Sequence, residues 1–296
     1  MISSLSAGRM RLNWHIFKEQ RPGVWILSLC PPVYADIFSQ QERELMHKAD
    51  GYWRASSSGR AKYLFLKSLD SPEIKNIKRF LEEYRRYVLI GKSEFLSDHF
   101  GNDLNFCMAL DFNFERSGIG DRTLTGHLVY QAKYRSRGMS RKTRLAIHCL
   151  ADQLALGVKR LPRSGRLIDY CLSHVPVPPD KTYDLPSELC RLVADRLSDT
   201  RILRWKNPVI QARLQCPKPA FKELSCEEKL RQCREIMTPG NVSLSHPVSG
   251  YGVIVIDDLY QSGVTMWSYA RLLKSAGAAE VLGLTCQKSI RDTDNL

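Results

Sequence analysis

No stretch of the 296-residue chain approaches the roughly 18 consecutive apolar residues that a membrane-spanning helix requires, so no membrane segment is expected. The opening residues, MISSLSAGRMRLNWHIF, lack a continuous apolar centre followed by a small-residue cleavage site, and the expectation is a cytoplasmic protein. Also missing is any CxxC pair. The nine cysteines, at 30, 107, 149, 171, 190, 216, 226, 233 and 286, are scattered and odd in number, which reads as reduced thiols packed in helices and strands. A zinc site built from Cys216, Cys226, Cys233 and His246 is disfavoured because those spacings supply no compact ligand pair. No metal ligand is directly assigned, and there is no internal repeat or long biased segment.

What is present is the balance of a folded globular chain, 43% hydrophobic and 25% charged, long enough for one large domain or two ordinary ones. The formal net charge of +13 implies attraction to polyanions, either nucleic acid or a small polyphosphate. The densest basic run, KYRSRGMSRKTR at 133–144, carries Lys133, Arg135, Arg137, Arg141, Lys142 and Arg144. It reads as a solvated loop and first helical turn ahead of a nucleic-acid patch.

Two regions are expected, with a boundary near residue 103: an N-terminal α+β accessory region over 1–103 and an α/β domain over 104–296. In the first, GVWILSL (23–29) and AKYLFLKSL (61–69) read as strands. Ile74, Ile77, Leu81, Tyr84 and Val88 then recur at helical spacing after Ser71-Pro72, and GKSEFLSDHFGND (91–103) reads as a connector. In the second, TLTGHLVYQAKY leads into a helix with Ile147, Leu150, Ala151, Leu154 and Val158 on its apolar face, and Lys133 reads as a strand-end lysine. RLIDYCLSHVPVP (166–178) is a buried strand, and a helix capped by Asp184, with Pro186 in its first turn, follows. The stretch 204–250 shows weak periodicity and is expected to be mobile. The chain closes with strand GVIVIDD, helix TMWSYARLLKSAG and strand EVLGLTC, which argues for a right-handed crossover in a parallel sheet.

The most restrictive string is VIVIDDLYQSGVT, 253–265. It places two carboxylates at the carboxyl end of a buried strand, where open α/β sheets bind ligands. A turn with hydroxyls and a glycine then meets the positive end of a helix. The turn suits a phosphate, whereas carboxylates suit hydroxyls or a divalent cation on the same ligand. A ribose 5-phosphate meets both demands.

This string resembles the phosphoribosyl pyrophosphate (PRPP) motif of type I phosphoribosyltransferases, with Gln261 and Ser262 standing where the family has a threonine pair. The resemblance implies a Rossmann-like, parallel-sheet α/β domain. It assigns Asp257 and Asp258 to the ribose hydroxyls, and Gln261, Ser262, Gly263, Val264 and Thr265 to the 5′-phosphate. Mg²⁺ is implied as the companion of PRPP. The order of GHLVYQAKYRSRG, DYCLSHVPVPP, LRWKNPVIQARLQ and LSCEEKLRQ before that motif is similar to the ComF-like branch, associated with competence and DNA uptake. That similarity assigns Lys133 a catalytic role at the pyrophosphate and sets Val177 and Pro178 beside it. The family's cysteine-rich zinc module is absent, and its RGFNQ segment is replaced by YDLPSEL. Arg204 and Arg234 read first as ordinary arginines, ahead of a role in closing over the pyrophosphate, and His174 reads as a satisfied buried histidine. The implied activity is transfer of phosphoribose to a nitrogen acceptor. The alternative is a PRPP- or nucleotide-sensing module in DNA handling.

Overall fold

The computed structural model describes residues 12–18, 24–47, 49, 53–91, 94–115, 121–133, 140–163, 168–181, 183–198, 209–217 and 224–290. The chain separates into two compact units, Met1–Leu89 and Ile90–Leu296. Among the described residues no helix is long and apolar enough to cross a membrane.

The first unit is α+β. It runs β1 (Asn13–Lys18), β2 (Val24–Cys30), α1 (Val33–Gln41), α2 (Arg43–Met46), β3 (Arg54–Ala55), β4 (Lys62–Lys67), α3 (Ser71–Tyr84) and β5 (Val88–Leu89). The sheet has the order β1-β2-β4-β3 and is antiparallel throughout. Alternation decides which face is buried: Leu64 and Leu66 are enclosed while Tyr63 and Phe65, which alternate with them, are half-exposed. In register, Leu27 stands opposite Leu64. Helix α3 starts with a capping box in which Asp70 accepts from the Glu73 N–H and Glu73 accepts from the Asp70 N–H. Its Phe80 meets Phe38 edge to face at 5.1 Å. Val88, expected on the stripe of this helix, lies in β5 instead, because α3 ends at Tyr84.

The second unit is α/β. Its elements are α4 (Glu94–Phe100), β6 (Phe106–Phe112), α5 (Leu124–Lys133), α6 (Arg141–Arg160), β7 (Tyr170–His174), α7 (Leu185–Leu197), β8 (Val209–Ile210), β9 (Ala212–Leu214), α8 (Cys226–Ile236), β10 (Val242–Leu244), β11 (Gly252–Tyr260), α9 (Val264–Ser275) and β12 (Glu280–Lys288). Strands β6-β12-β11-β7-β8 lie side by side in that order and pair in parallel. Every residue of β12 is buried, as a parallel strand covered on both faces requires.

Successive strand residues point to opposite faces, and the two faces carry different helices. Leu284 meets α6 so closely that a Cβ at Gly157 would sit 3.1 Å from it, and α5, α6 and α7 pack in sequence on this side. Val253, Val255 and Val281 face the other way, into a cluster with residues of α4, α8 and α9. The segment expected as a connector therefore holds a helix, α4, whose Phe100 ring lies 6.0 Å from that of Trp267.

The stretch expected to be mobile is also different. Within 204–250 the described residues form β8, β9, α8 and β10, with β9 and β10 paired antiparallel. The strands are two or three residues long, too short to show a period. In α8 the buried set is Lys229, Leu230, Cys233 and Ile236, so a lysine interrupts the apolar stripe. Ser225 and Glu228 form a capping box there, and that S-x-x-E spacing was the available signal.

Candidate functional site

The strand ladder positions the acidic pair. β11 pairs with β12 from Gly252 through to Tyr260 opposite Lys288, whereas its pairing with β7 stops at Ile256 opposite His174. Beyond Ile256 the strand is therefore supported on one edge and open on the other, and Asp257 and Asp258 stand at that opening. Parallel sheets bind ligands where neighbouring strands part at their carboxyl ends. A cleft of about 380 Å³ lies here, and Asp257, Asp258 and all five residues Gln261–Thr265 line it. Its other walls come from Lys133, Val175, Lys181, Asp184, Pro186 and Lys229.

Asp258 is buried and its Oδ2 lies 2.7 Å from the Lys133 ammonium. Lys133 is the last residue of helix α5, not a strand-end residue, and a cation at a helix C-terminus is favoured by the dipole. Burial works against the charged form of Lys133. The Asp258 carboxylate, by charge and hydrogen bond, and then Asp257, outweigh it and hold the lysine above its ordinary pKa. Asp257 turns back on the chain, its Oδ1 accepting from the Asp258 N–H at 2.8 Å. The fully buried Cys286 thiol is raised first by burial and then by the two carboxylates, which favours its neutral form.

The turn after β11 is built on a glycine. Gly263 has φ 84°, and a Cβ there would lie 2.1 Å from Tyr260 Oη, so only glycine lets the loop close onto the tyrosine. Trp267 Nε1 donates to the same Oη at 3.1 Å. Buried Lys288 donates to the carbonyls of Ser289 and Gln261, at 3.0 and 3.4 Å. Tyr260, Trp267 and Lys288 support the loop from behind. Sequence reasoning passed over them because they belong to apolar-looking strand and helix segments. Gln261 is exposed at the cleft mouth, Ser262, Gly263 and Val264 are buried and Thr265 is half-buried. Gly263 is the N-cap of α9 and brings no side-chain acceptor, so the first-turn N–H groups face the cleft without a cap of their own.

Val177 and Pro178 sit differently from Val175. The Val177 N–H donates to the Ala212 carbonyl at 3.0 Å and its carbonyl accepts from Leu214 at 2.9 Å, so the backbone of Val177 is committed to pairing with β9. The Pro178 carbonyl accepts from the Lys181 N–H at 3.2 Å. Val175 lines the cleft directly. His174 is fully buried, its Nδ1 donating to the Val175 carbonyl at 2.9 Å and its Nε2 lying 3.1 Å from Gln211 Oε1. Both ring nitrogens are thus occupied. Arg234 belongs to α8 and approaches His99 Nδ1 at 3.3 Å, and Arg204 lies outside the described residues, as do Arg135 and Arg137. Arg141, Lys142 and Arg144 are exposed on the first turn of α6. The cysteines are free thiols, and no group of three or more metal-ligating side chains forms among the described residues.

No protein-family model matches this chain, and no curated protein sequence matches it. Among solved structures it is similar to a hypoxanthine phosphoribosyltransferase from Staphylococcus aureus, at 12% identity over 47% of this chain and 61% of that one, with a TM-score of 0.29. It is also similar to a hypoxanthine phosphoribosyl transferase of Trypanosoma cruzi, at 15% identity over 48% and 62% of the two chains, TM-score 0.27. A third is an HPRT in which an invariant aspartic acid is replaced by asparagine, at 15% identity over 48% and 63%, TM-score 0.26. Each alignment spans less than two-thirds of the matched chain.

Proposed function

We propose that the second unit binds PRPP, or a related ribose 5-phosphate, and acts as a phosphoribosyltransferase on a nitrogen acceptor. One observation carries the reading: a pair of carboxylates and an uncapped helix N-terminus with a glycine turn line a single cleft at the carboxyl end of β11. Carboxylates accept hydrogen bonds from hydroxyls, and first-turn N–H groups donate to phosphate oxygens. A ligand carrying vicinal hydroxyls at one end and a phosphate at the other answers both. Asp257 and Asp258 take the ribose 2′- and 3′-hydroxyls in this reading, and Gln261, Ser262, Gly263, Val264 and Thr265 take the 5′-phosphate.

The chemistry asked of the protein is positioning and charge. The bond from ribose C1 to pyrophosphate breaks as the bond to the acceptor nitrogen forms, through an oxocarbenium-like centre. The cleft must hold the sugar, exclude water and offset the charge of the leaving group. Lys133 supplies positive charge on the pyrophosphate side once a ligand hydroxyl takes its place on Asp258. Mg²⁺ would arrive with PRPP and offset pyrophosphate charge; the cleft carboxylates are hard oxygen donors of the class it accepts, but among the described residues they do not gather into a metal-holding group of their own. Val177 and Pro178 belong to that side in this reading only as supports of the Val175 wall, their backbone being held by β9 and by the Lys181 N–H.

The ComF-like placing rests on motif order along the chain, with the first unit as its accessory region. A sensing module that binds PRPP without transfer is the alternative, supported by the occupied ring of His174 and by a cleft that no histidine lines among the described residues. Calorimetric titration of the protein with PRPP and Mg²⁺, beside Asp257→Asn/Asp258→Asn, tests the binding itself. Binding that the variant loses is the expected result, and a folded wild-type protein that binds no PRPP sinks the proposal. Pyrophosphate release in an acceptor screen then separates enzyme from sensor.

A further inference from the structure

We propose that the first unit binds single-stranded nucleic acid on the face of its sheet opposite α1, with Tyr63 and Phe65 as the rings on which bases stack. This surface does not depend on what the cleft of the second unit binds. Side chains alternate along β4, and the two sides differ in kind. Lys62, Leu64 and Leu66 share one side, and Lys62 reaches Asp36 of α1 at 2.9 Å, so α1 lies over that side. Tyr63 and Phe65 point the other way, and they are half-buried where Leu64 and Leu66 are enclosed.

The register assembles a patch around those two rings. Ile26 stands opposite Phe65 and Ser28 opposite Tyr63 on one flank, and Arg54 stands opposite Tyr63 on the other. Residues directly opposite in an antiparallel pair share a face, so Arg54 belongs to this side. It is exposed, and its guanidinium lies 4.8 Å from the centre of the Phe65 ring. Two residues along a strand span about 7 Å, a step that successive unstacked bases can match. Rings of this kind take up bases that are free of a pairing partner, and a neighbouring arginine adds cation–π contact and charge for the phosphate. A four-stranded face, with about 4.8 Å between strands, is broader than the roughly 12 Å major groove of a duplex.

Charge selects the occupant. The four strands, NWHIFK, VWILSLC, RA and KYLFLK, contain no aspartate or glutamate, and their charged residues Lys18, Arg54, Lys62 and Lys67 are all basic. The acidic side chains described in this unit lie on α1–α3 and at their ends, Asp36, Glu44, Asp70 and Glu73 among them. An apolar protein partner would use the aromatic pair without this segregation of sign, whereas a nucleic-acid strand uses both the rings and the charge.

The experiment reads the fluorescence anisotropy of labelled oligo(dT), oligo(U) and a DNA duplex, each about 16 nucleotides long, with the whole chain as wild type, Tyr63→Val/Phe65→Val and Arg54→Gln. Valine removes the ring and keeps strand preference. Wild type is expected to prefer single strands to duplex and to lose affinity as salt rises. The double valine variant should lose about tenfold or more for single strands, and Arg54→Gln should bind more weakly with a shallower salt dependence. Equal affinity for the two single strands supports a surface reading bases and phosphates common to DNA and RNA, and a preference for one names the source. A folded wild type that binds no single strand at about 50 mM salt overturns the proposal and leaves the face to a protein partner. Single-strand affinity unchanged in the double valine variant also overturns it. Should that variant fail to fold, photo-crosslinking of 5-iodouridine strands to wild type decides: adducts on Tyr63 or Phe65 support the proposal, and adducts confined to other peptides overturn it.

Discussion

The Lys133 ammonium and the Asp258 carboxylate meet at 2.7 Å across the gap between helix α5 and strand β11. The pair joins two elements through charge at the point where a ligand hydroxyl would compete for the carboxylate. Its energetic weight is limited, because the lysine side chain is 34% exposed and solvent screens it. Lys133→Met and Asp258→Asn should each cost about 1 kcal/mol in urea unfolding. The double variant should cost less than the sum, since the second change removes a group already stranded by the first. Full additivity would show that the two residues do not interact in solution.

Because Lys133 is held above its ordinary pKa in the folded protein, its contribution is fully present below the unfolded-state value of roughly 10.4 and is lost as pH rises through the folded value. Comparing wild type with Lys133→Met across alkaline pH should show the stability gap closing only above about pH 10. A gap that closes near neutral pH would contradict this ordering.

Gly263→Ala asks a side chain to adopt φ 84° and to occupy a point 2.1 Å from Tyr260 Oη. Either the loop or the tyrosine must move, with a stability loss of about 1–3 kcal/mol. PRPP affinity should fall together with stability. Because Tyr260 Cζ would still lie 2.4 Å away without the hydroxyl, adding Tyr260→Phe should recover little of the loss, whereas adding Tyr260→Ala, which removes the ring, should make the two losses less than additive in thermal melts.

His174 packs with both ring nitrogens engaged and no exposed surface. His174→Ala should therefore destabilise the fold, by about 1–3 kcal/mol for the buried polar groups it strands. In material that remains folded, the pH profile of any phosphoribosyl transfer should not change. Loss of a limb from that profile would identify the histidine as a proton carrier.

The capping box of α8 gives an acid-side prediction. The Ser225 backbone N–H and then its hydroxyl hold Glu228 below its ordinary pKa. The contribution is thus present above the usual glutamate range and disappears as pH falls through the lowered folded value. Urea unfolding of Glu228→Gln against wild type should show a stability gap at pH 7 that vanishes in acid. A gap independent of pH would remove the carboxylate from the cap.

Much of the sheet was legible because its signals are redundant. β11, α9 and β12 announce themselves by continuous apolar runs, a helical stripe and Gly277 at φ 91° just past the helix. The cap at Asp184 is present as its sequence implied, accepting from the Ser187 N–H at 3.1 Å. The other side of the cleft was harder to read. Lys229 sits in a helix whose composition is dominated by charge, and its burial depends on α8 packing against α9, a contact no local pattern encodes. Lys133 was singled out, but its partner across the fold was not, since a salt bridge between residues 125 positions apart leaves no periodic trace. The support of the loop by Tyr260, Trp267 and Lys288 was hidden for the same reason.

The ladder between β11 and β12 runs past the acidic pair to Tyr260 and Lys288. The carboxylate-bearing backbone is therefore already fixed before any ligand arrives, and capture of a sugar there requires little loss of conformational entropy on that wall. The opposite wall is held by other means: Val177 is paired with β9 through both its N–H and its carbonyl, and Asp184 is tied to the first turn of α7. Substitutions that loosen those anchors would shift affinity without touching the acidic pair of β11.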